Sequence, residues 1–185
     1  NAKKPFRFTS GILSPIYTDC RLLISFPKQR KIIKSLYLDA IKNEHLSFDV
    51  VAGTSTAGIP WASWIADALN LPMIYVRKRP KGYGTNQLIE GELQEGQKVV
   101  LIDDMATNAF SKLAFIEGIR QAGGIVNDVV IVLDREQGGV EALAKEKVKL
   151  HSLITLKELL SYMEDKELID EGQHKEILDY LEKNK

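Results

Sequence analysis

The sequence predicts an α/β fold in which a mostly parallel sheet is flanked by helices. Short apolar runs alternate with stretches of helical periodicity, and the runs are continuous, as in strands that are buried on both faces. The connections between them are long enough for helical crossovers, which are right-handed and make neighbouring strands parallel. The predicted strands cover residues 48–53, 72–78, 98–104, 128–134 and 150–154.

Each predicted helix carries a local signal of its own. The helix at 28–44 follows Pro27, a favoured residue at a helix start, and repeats apolar residues at helical spacing. The helix at 110–122 runs up to two glycines, which commonly end a helix. Two further helices are predicted at 60–69 and 140–147, and the charged segment 155–185 is predicted to be helical and to pack back on the sheet.

Length, charge and cysteine content restrict the class of protein. The 185 residues predict one domain with a cap at 1–26, a core at 27–154 and C-terminal helices at 155–185. The 25 basic and 25 acidic residues cancel, so no net field favours nucleic acid or a membrane surface as partner. The single cysteine, Cys20, excludes an internal disulfide and a cysteine-based zinc site, and we expect it to be a small buried apolar residue. With no apolar run near the ~20 residues of a membrane helix, the sequence predicts a cytoplasmic protein.

The third predicted strand ends in two adjacent carboxylates, Asp103 and Asp104, at the edge of the sheet where α/β proteins bind ligands. Paired carboxylates suit ribose hydroxyls or a magnesium ion. Hydroxyl residues follow at the start of the next predicted helix, where unpaired backbone N–H groups and the helix dipole favour a phosphate. The pattern therefore predicts a ribose phosphate as ligand. The alternative is a solvated strand end with an ordinary helix cap.

Two other strand ends carry groups that suit an anion. Thr54, Ser55 and Thr56 follow the first strand in a turn that offers hydroxyls and backbone N–H groups, without the Gly-Lys-Ser/Thr of a Walker A loop. The segment 77–86 holds four cations, and its two glycines and one proline favour a mobile loop that closes over a polyphosphate. The alternative for this segment is a solvated basic turn.

The turn at 134–139 brings Arg135 to the end of the next strand. Its guanidinium suits a planar substrate that bears a carboxylate, because Arg makes two parallel hydrogen bonds to a carboxylate. The alternative is a surface ion pair with Glu136 or Glu141. The three histidines lack the spacing of metal ligands, so we expect no direct protein ligand to a metal.

These segments resemble, in the same order, the motifs of the orotate phosphoribosyltransferases. Residues 8–21 are similar to the N-terminal signature F-x-SG-x-x-SP-x-Y-x-D-x-R, and 134–139 read DREQGG, a form of the turn on the orotate side. Residues 53–60 are similar to the turn on the pyrophosphate side. Parts of 75–91 are similar to the catalytic loop, and 99–111 occupy the motif for phosphoribosyl diphosphate (PRPP).

The resemblance implies the type I phosphoribosyltransferase fold and a magnesium-dependent reaction of orotate with PRPP that gives orotidine 5′-monophosphate. It assigns catalysis to Lys81, Asp103 and Asp104, with the two carboxylates on the ribose hydroxyls. It assigns binding of the 5′-phosphate to Thr107, Asn108, Ala109, Phe110 and Ser111. It assigns binding of the pyrophosphate to Arg77, Lys78 and Lys81, with Tyr83 on the same loop. It assigns binding of the orotate carboxylate to Arg135. The Mg²⁺ ion is held by PRPP, with a water contact to Asp103, and a homodimer with shared active sites is implied.

The loop at 107–111 departs from the family pattern, which is rich in glycine and serine there. Ala109 stands where a glycine reaches positive φ at little cost, and Phe110 stands where a small residue lets the backbone approach a phosphate. Tyr83 stands where many members have histidine. The departure at the loop leaves open a second hypothesis, a relative that binds a nucleotide in a regulatory role with little or no turnover. A third is transfer to another base such as a purine, which has no carboxylate for Arg135.

Overall fold

The structure, a computed structural model, describes residues 6–7, 13–78 and 88–183. It confirms the predicted α/β class with a mostly parallel sheet. The strands are β1 (Phe6–Arg7), β2 (Leu13–Ser14), β3 (Val50–Thr54), β4 (Met73–Val76), β5 (Ile89–Glu90), β6 (Lys98–Ala106), β7 (Ile125–Asp134) and β8 (Lys149–Thr155). The α-helices are α1 (Pro27–Asn43), α2 (Gly58–Leu69), α3 (Phe110–Gln121), α4 (Gly139–Lys145), α5 (Leu156–Asp165) and α6 (Glu171–Lys183), and a 3₁₀ helix covers Cys20–Ser25.

The main sheet has six strands in the order β5-β4-β3-β6-β7-β8. All neighbours are parallel except β4 and β5. Successive residues of the central strands face opposite sides, so Val99 and Leu101 pack into one apolar cluster while Val100 and Ile102 pack into the other. Because apolar clusters cover both faces of the sheet, a ligand can reach polar side chains only at the ends of the strands.

A third apolar cluster joins the C-terminal helices to the rest of the chain. It contains Leu156 and Leu160 of α5, Ile177 and Leu181 of α6, Leu133 of β7 and Cys20. Cys20 is buried, as predicted. The segment 155–185, predicted to be helical, contains two helices, α5 and α6, which residues 166–170 separate. The division of the chain into cap, core and extension stays a prediction.

Several predicted boundaries are wrong, most importantly at the two acidic residues. Strand β6 runs two residues past Asp104, because Met105 and Ala106 still pair with Leu133 and Asp134 of the long strand β7. The carboxylates therefore lie within the last part of the strand pairing and not beyond it. Strand β7 begins at Ile125 and not at 128, and the short elements β1, β2, β5 and the 3₁₀ helix are too brief to give a periodic signal.

Gly58, the first residue of α2, is fitted against the end of β6. A Cβ there would lie 2.2 Å from the carbonyl oxygen of Ile102 and 2.6 Å from the Thr54 hydroxyl. We expect Gly58→Ala to lower the free energy of unfolding by about 2–3 kcal/mol, because the clash is with backbone. Urea unfolding measures this. Gly172→Ala, on the exposed first turn of α6, is the matched control and is expected to raise stability slightly; equal effects of the two changes would contradict the close approach.

Candidate active site

The carboxyl ends of β3, β6 and β7 and the residues after β4 meet at one edge of the sheet, since parallel strands all end on the same side. A cleft of about 270 Å³ lies there. Its walls come from the hydroxyl turn after β3, the end of β6, the loop before α3 and the first turns of α3. They are lined by Thr54, Ser55, Thr56, Ala57, Lys78, Asp103, Asp104, Met105, Thr107, Ala109, Ser111, Lys112 and Phe115.

Two further clefts adjoin this central cleft. One, of about 480 Å³, is lined by Ser55, Thr56, Ile59, Tyr75, Arg77 and Lys78. The other, of about 390 Å³, is lined by Tyr17, Thr18, Asp19, Arg21, Thr56, Ala57, Lys78, Asp104, Met105 and Arg135. Thr56 and Lys78 line all three clefts, so the clefts adjoin one another and form one site. The side chains that line each cleft differ in their chemistry.

The two carboxylates are not equivalent. Asp103 is 6% exposed, and both of its oxygens accept hydrogen bonds: Oδ1 from the backbone N–H of Asp104 at 2.9 Å and Oδ2 from Lys112 Nζ at 2.5 Å. Within the described part of the chain, Asp104 accepts a hydrogen bond from the backbone N–H of Met105 to Oδ1, at 2.8 Å. Only Asp104 also lines the cleft that holds Arg135. Asp104 therefore has more acceptor capacity left for a ligand than Asp103.

The environment raises the pKa of Asp104 to about 6. Burial is the largest cause, because it disfavours the charged form, and the neighbouring charge of Asp103 adds to it. The ammonium of Lys112 and the hydrogen bond from Met105 act in the opposite direction. The carboxylate of Asp104 is thus ionised at neutral pH but changes charge in mildly acidic solution.

Lys112 is a site residue that the sequence analysis missed. It is 5% exposed, and its Nζ donates to Asp103 and to the carbonyl oxygen of Met105. A signal was present in the sequence. The buried face of α3 repeats at 112, 115, 116 and 119, so a lysine occupies a position where helical periodicity expects an apolar residue.

The loop before α3 takes the conformation that a glycine would favour. Ala109 has a φ of +60°, and α3 begins at the next residue. Thr107, Ala109 and Ser111 line the central cleft, whereas Asn108 and Phe110 do not. Phe110 is 72% exposed, so its ring lies in solvent and leaves the cleft open.

Arg135 lies in the turn after β7 and is 5% exposed. Burial lowers the pKa of its guanidinium below the usual value, and Tyr180 acts in the opposite direction. The carboxylate of the next residue, Glu136, accepts from the backbone N–H of Lys157 at 2.9 Å. The burial of Arg135 is inconsistent with the alternative of a surface ion pair.

The cleft around Arg135 also contains residues from before α1 that we did not assign to the site. Arg21 and Asp19 form an ion pair, with Nε and Oδ1 2.7 Å apart, and Tyr17 and Thr18 lie beside them. The hydroxyl of Thr18 is buried and has no hydrogen-bond partner within residues 6–7, 13–78 and 88–183. The sequence did indicate these residues, because they belong to the motif at 8–21, but the motif alone assigned them no function.

The basic segment is described in part. Arg77 pairs with Glu90 of β5 at 3.2 Å, and Lys78 lines all three clefts. Lys81 and Tyr83 lie outside the described residues, so their assignments stay predictions. No helix in the described ranges combines the length and the apolar character needed to cross a membrane.

Comparison with known proteins agrees with this geometry. A family described as "Phosphoribosyl transferase domain" matches residues 25–159. The orotate phosphoribosyltransferase of Rhizobium johnstonii is 40% identical over 184 residues, which cover 98% of this chain and 80% of that protein.

Two solved structures show the same fold. The orotate phosphoribosyltransferase of Aeropyrum pernix has a TM-score of 0.78 and 33% identity, over 90% of this chain and 92% of that chain. The Mycobacterium tuberculosis enzyme, solved in complex with PRPP, has a TM-score of 0.69 and 28% identity, over 84% and 91% of the two chains. The resemblance drawn from the sequence motifs is confirmed. The chain belongs to the orotate phosphoribosyltransferase family.

Proposed function

We propose that the protein transfers the phosphoribosyl group of PRPP to orotate and releases pyrophosphate, giving orotidine 5′-monophosphate for pyrimidine nucleotide synthesis. The observation that carries the proposal is the set of three clefts joined at Thr56 and Lys78. Each cleft matches one part of the reaction: a sugar phosphate, a diphosphate and a base that bears a carboxylate.

The central cleft suits the ribose 5-phosphate. Thr107 and Ser111 offer hydroxyls, and the start of α3 offers backbone N–H groups and the positive end of the helix dipole. Asn108, Ala109 and Phe110 contribute backbone to the same loop. The carboxylate of Asp104 then faces the ribose hydroxyls as a hydrogen-bond acceptor.

The cleft beside Arg77 suits the diphosphate. Ser55 and Thr56 lie in the turn that lines it, directly after Thr54 at the end of β3, and Arg77 and Lys78 supply positive charge. Lys81 is the loop cation to which we assign the largest part in catalysis, with Tyr83 on the same segment. Fixed cations favour the departure of pyrophosphate because negative charge grows on it as the bond breaks.

The cleft around Arg135 suits orotate. Its guanidinium can make two parallel hydrogen bonds to the orotate carboxylate, and the rejection of bases without a carboxylate follows from leaving a buried guanidinium unpaired by substrate. In the reaction, N1 of orotate forms a bond to C1′ while the bond from C1′ to the diphosphate oxygen breaks. The bonding electrons leave with pyrophosphate, and the N1 proton goes to solvent. Positive charge that develops on the sugar is stabilised by the nearby carboxylate of Asp104.

The donor set fits Mg²⁺ that is bound mainly by substrate. Mg²⁺ keeps several waters and binds one or two carboxylates together with phosphate oxygens. Among the described residues there is no group of three or more His, Cys, Asp or Glu that could hold a metal. Asp104 has more acceptor capacity for a water-mediated contact than Asp103, whose two oxygens each already accept a hydrogen bond within the protein. When bound, the ion neutralises charge on the diphosphate.

A homodimer with shared active sites is part of the proposal. Ile32 and Leu36 are exposed and share a face of α1, since they are one turn apart, and Leu22 and Phe26 are exposed just before it. Exposed apolar residues of this kind are typical of a subunit interface. Sedimentation of the protein measures the state directly. The cytoplasmic location stays a prediction.

The test is an assay with purified protein, orotate, PRPP and magnesium chloride, followed by loss of orotate absorbance and by pyrophosphate release. Turnover of orotate with no turnover of adenine or hypoxanthine supports the proposal. Calorimetric binding of PRPP without pyrophosphate release would instead support the regulatory hypothesis. The exposed position of Phe110 removes the crowding that favoured that hypothesis.

The reaction is expected to depend on the ionisation of Asp104. Its pKa is about 6, so kcat/KM for PRPP should be constant above that pH and fall about tenfold for each unit below it. A pH profile of kcat/KM measures this. A profile that stays flat down to pH 5 would show that the charge of Asp104 is not needed.

A further inference from the structure

Lys112 is a buried cation to which the reaction above gives no part. It lies within the apolar face of α3, beside Phe115 and Ile116. A charged side chain in such a position destabilises the fold unless it is paired. Even a buried lysine that is paired rarely makes the fold more stable than an apolar residue of similar size would. The fold alone therefore gives no reason for a lysine here.

Lys112 connects two segments that form the central cleft. It is the third residue of α3, directly after the loop that we assign to the 5′-phosphate. Its Nζ reaches the end of β6, where it donates to the carboxylate of Asp103 and to the carbonyl of Met105. The bond thus spans from the phosphate side of the cleft to the side of the ribose hydroxyls.

The pairing also reduces the acceptor capacity that Asp103 has left for a ligand. Lys112 holds Oδ2 of Asp103 while Oδ1 accepts from the backbone N–H of Asp104. That second bond fixes the backbone from which the Asp104 side chain projects. Without Lys112, the buried carboxylate of Asp103 would lose its bonded cation while the carboxylate of Asp104 stays next to it in the chain. Two like charges in a buried site repel each other, so this arrangement would be unfavourable.

We propose that Lys112 is a positioning residue for PRPP, which holds Asp103 so that the carboxylate of Asp104 and the phosphate loop keep the spacing of one ribose phosphate. The proposal rests on the proposed function and deepens it. It assigns the contact with the ribose hydroxyls to Asp104, with Asp103 acting through the protein.

The test compares Lys112→Met, Asp103→Asn and the double variant with the wild type. For Lys112→Met we expect the KM and the calorimetric Kd of PRPP to rise at least about tenfold, because the buried carboxylate loses its partner, while KM for orotate stays within about twofold. The double variant removes both charges and is expected to bind PRPP at least about threefold more tightly than Lys112→Met, since the two residues are coupled. Lys175→Met, on the exposed face of α6, is the matched control.

Each outcome decides the matter. A lysine with a purely structural role lowers the unfolding temperature but leaves KM for PRPP unchanged, and that result overturns the inference. A double variant that binds no more tightly than Lys112→Met overturns it as well. If Lys112→Met does not fold, the folded double variant carries the test, because the inference then requires weakened PRPP binding with an unchanged KM for orotate. If the wild type neither binds nor consumes PRPP, the proposed function itself has failed.

Discussion

Asp104→Asn is expected to reduce kcat/KM for PRPP by about 10²–10³-fold and at the same time to make the fold more stable. Activity falls because an amide cannot stabilise positive charge on the sugar as a carboxylate does. Stability rises because the folded state holds this carboxylate at a pKa of about 6, above the 3.8 of an unperturbed aspartate. The amide of the variant retains an oxygen that can accept the bond from Met105.

The sign of the pH dependence follows from that difference. Between about pH 4 and pH 6 the folded protein binds a proton more readily than the unfolded chain, so stability falls as the pH rises through this range. Above pH 6 the full cost in the free energy of unfolding, of the order of 3 kcal/mol, is present. Asp104→Asn removes it. Urea unfolding at pH 4.5 and pH 7.5 should therefore show a gain that is larger at the higher pH.

A matched control is Asp165→Asn, which changes an exposed aspartate at the end of α5. It is expected to alter neither activity nor stability by a measurable amount. The account of Asp104 is wrong if the Asp104→Asn protein keeps near-normal turnover, or if it is less stable than the wild type at pH 7.5.

Arg135→Met is expected to lower kcat/KM for orotate about 10²-fold while KM for PRPP stays within about twofold. The guanidinium is buried beside the cleft, so its loss leaves the orotate carboxylate without a charged partner. The sharper measurement is the preference for orotate over uracil, which lacks the carboxylate. We expect this ratio to fall by a similar factor, because uracil never used the guanidinium.

Arg120→Met is the control for this change. Arg120 lies on α3 and pairs with Glu146 at the surface, so its loss is expected to leave the preference unchanged. An orotate-to-uracil ratio that survives Arg135→Met would show that another group recognises the carboxylate. Arg21, in the same cleft, would then be the next residue to change.

The sequence was sufficient to predict most of the sheet and the segments that meet at its edge. Continuous apolar runs identify buried parallel strands, and the ends of such strands must lie together, so Thr54–Thr56, Asp104 and Arg135 could be placed near one ligand before any coordinates. This reasoning depends on topology and not on side-chain detail.

The sequence was not sufficient for features that depend on packing between distant segments. The last residues of β6 are part of the strand because β7 is long enough to pair with them. No local sequence pattern predicts this pairing. Lys112 was overlooked because a lysine is normally read as exposed. Ala109 adopts a left-handed conformation that its residue type disfavours, since the loop on either side is held by β6 and α3.

The cluster formed by α5 and α6 has a consequence for the base cleft. It packs against Cys20, between Asp19 and Arg21, and against Leu133, two residues before Arg135. The C-terminal helices α5 and α6 thus support, from behind, the wall of the cleft that we propose for orotate. Shortening the tail, or loosening it at Leu160 or Ile177, should weaken base selection before it abolishes binding of the sugar phosphate.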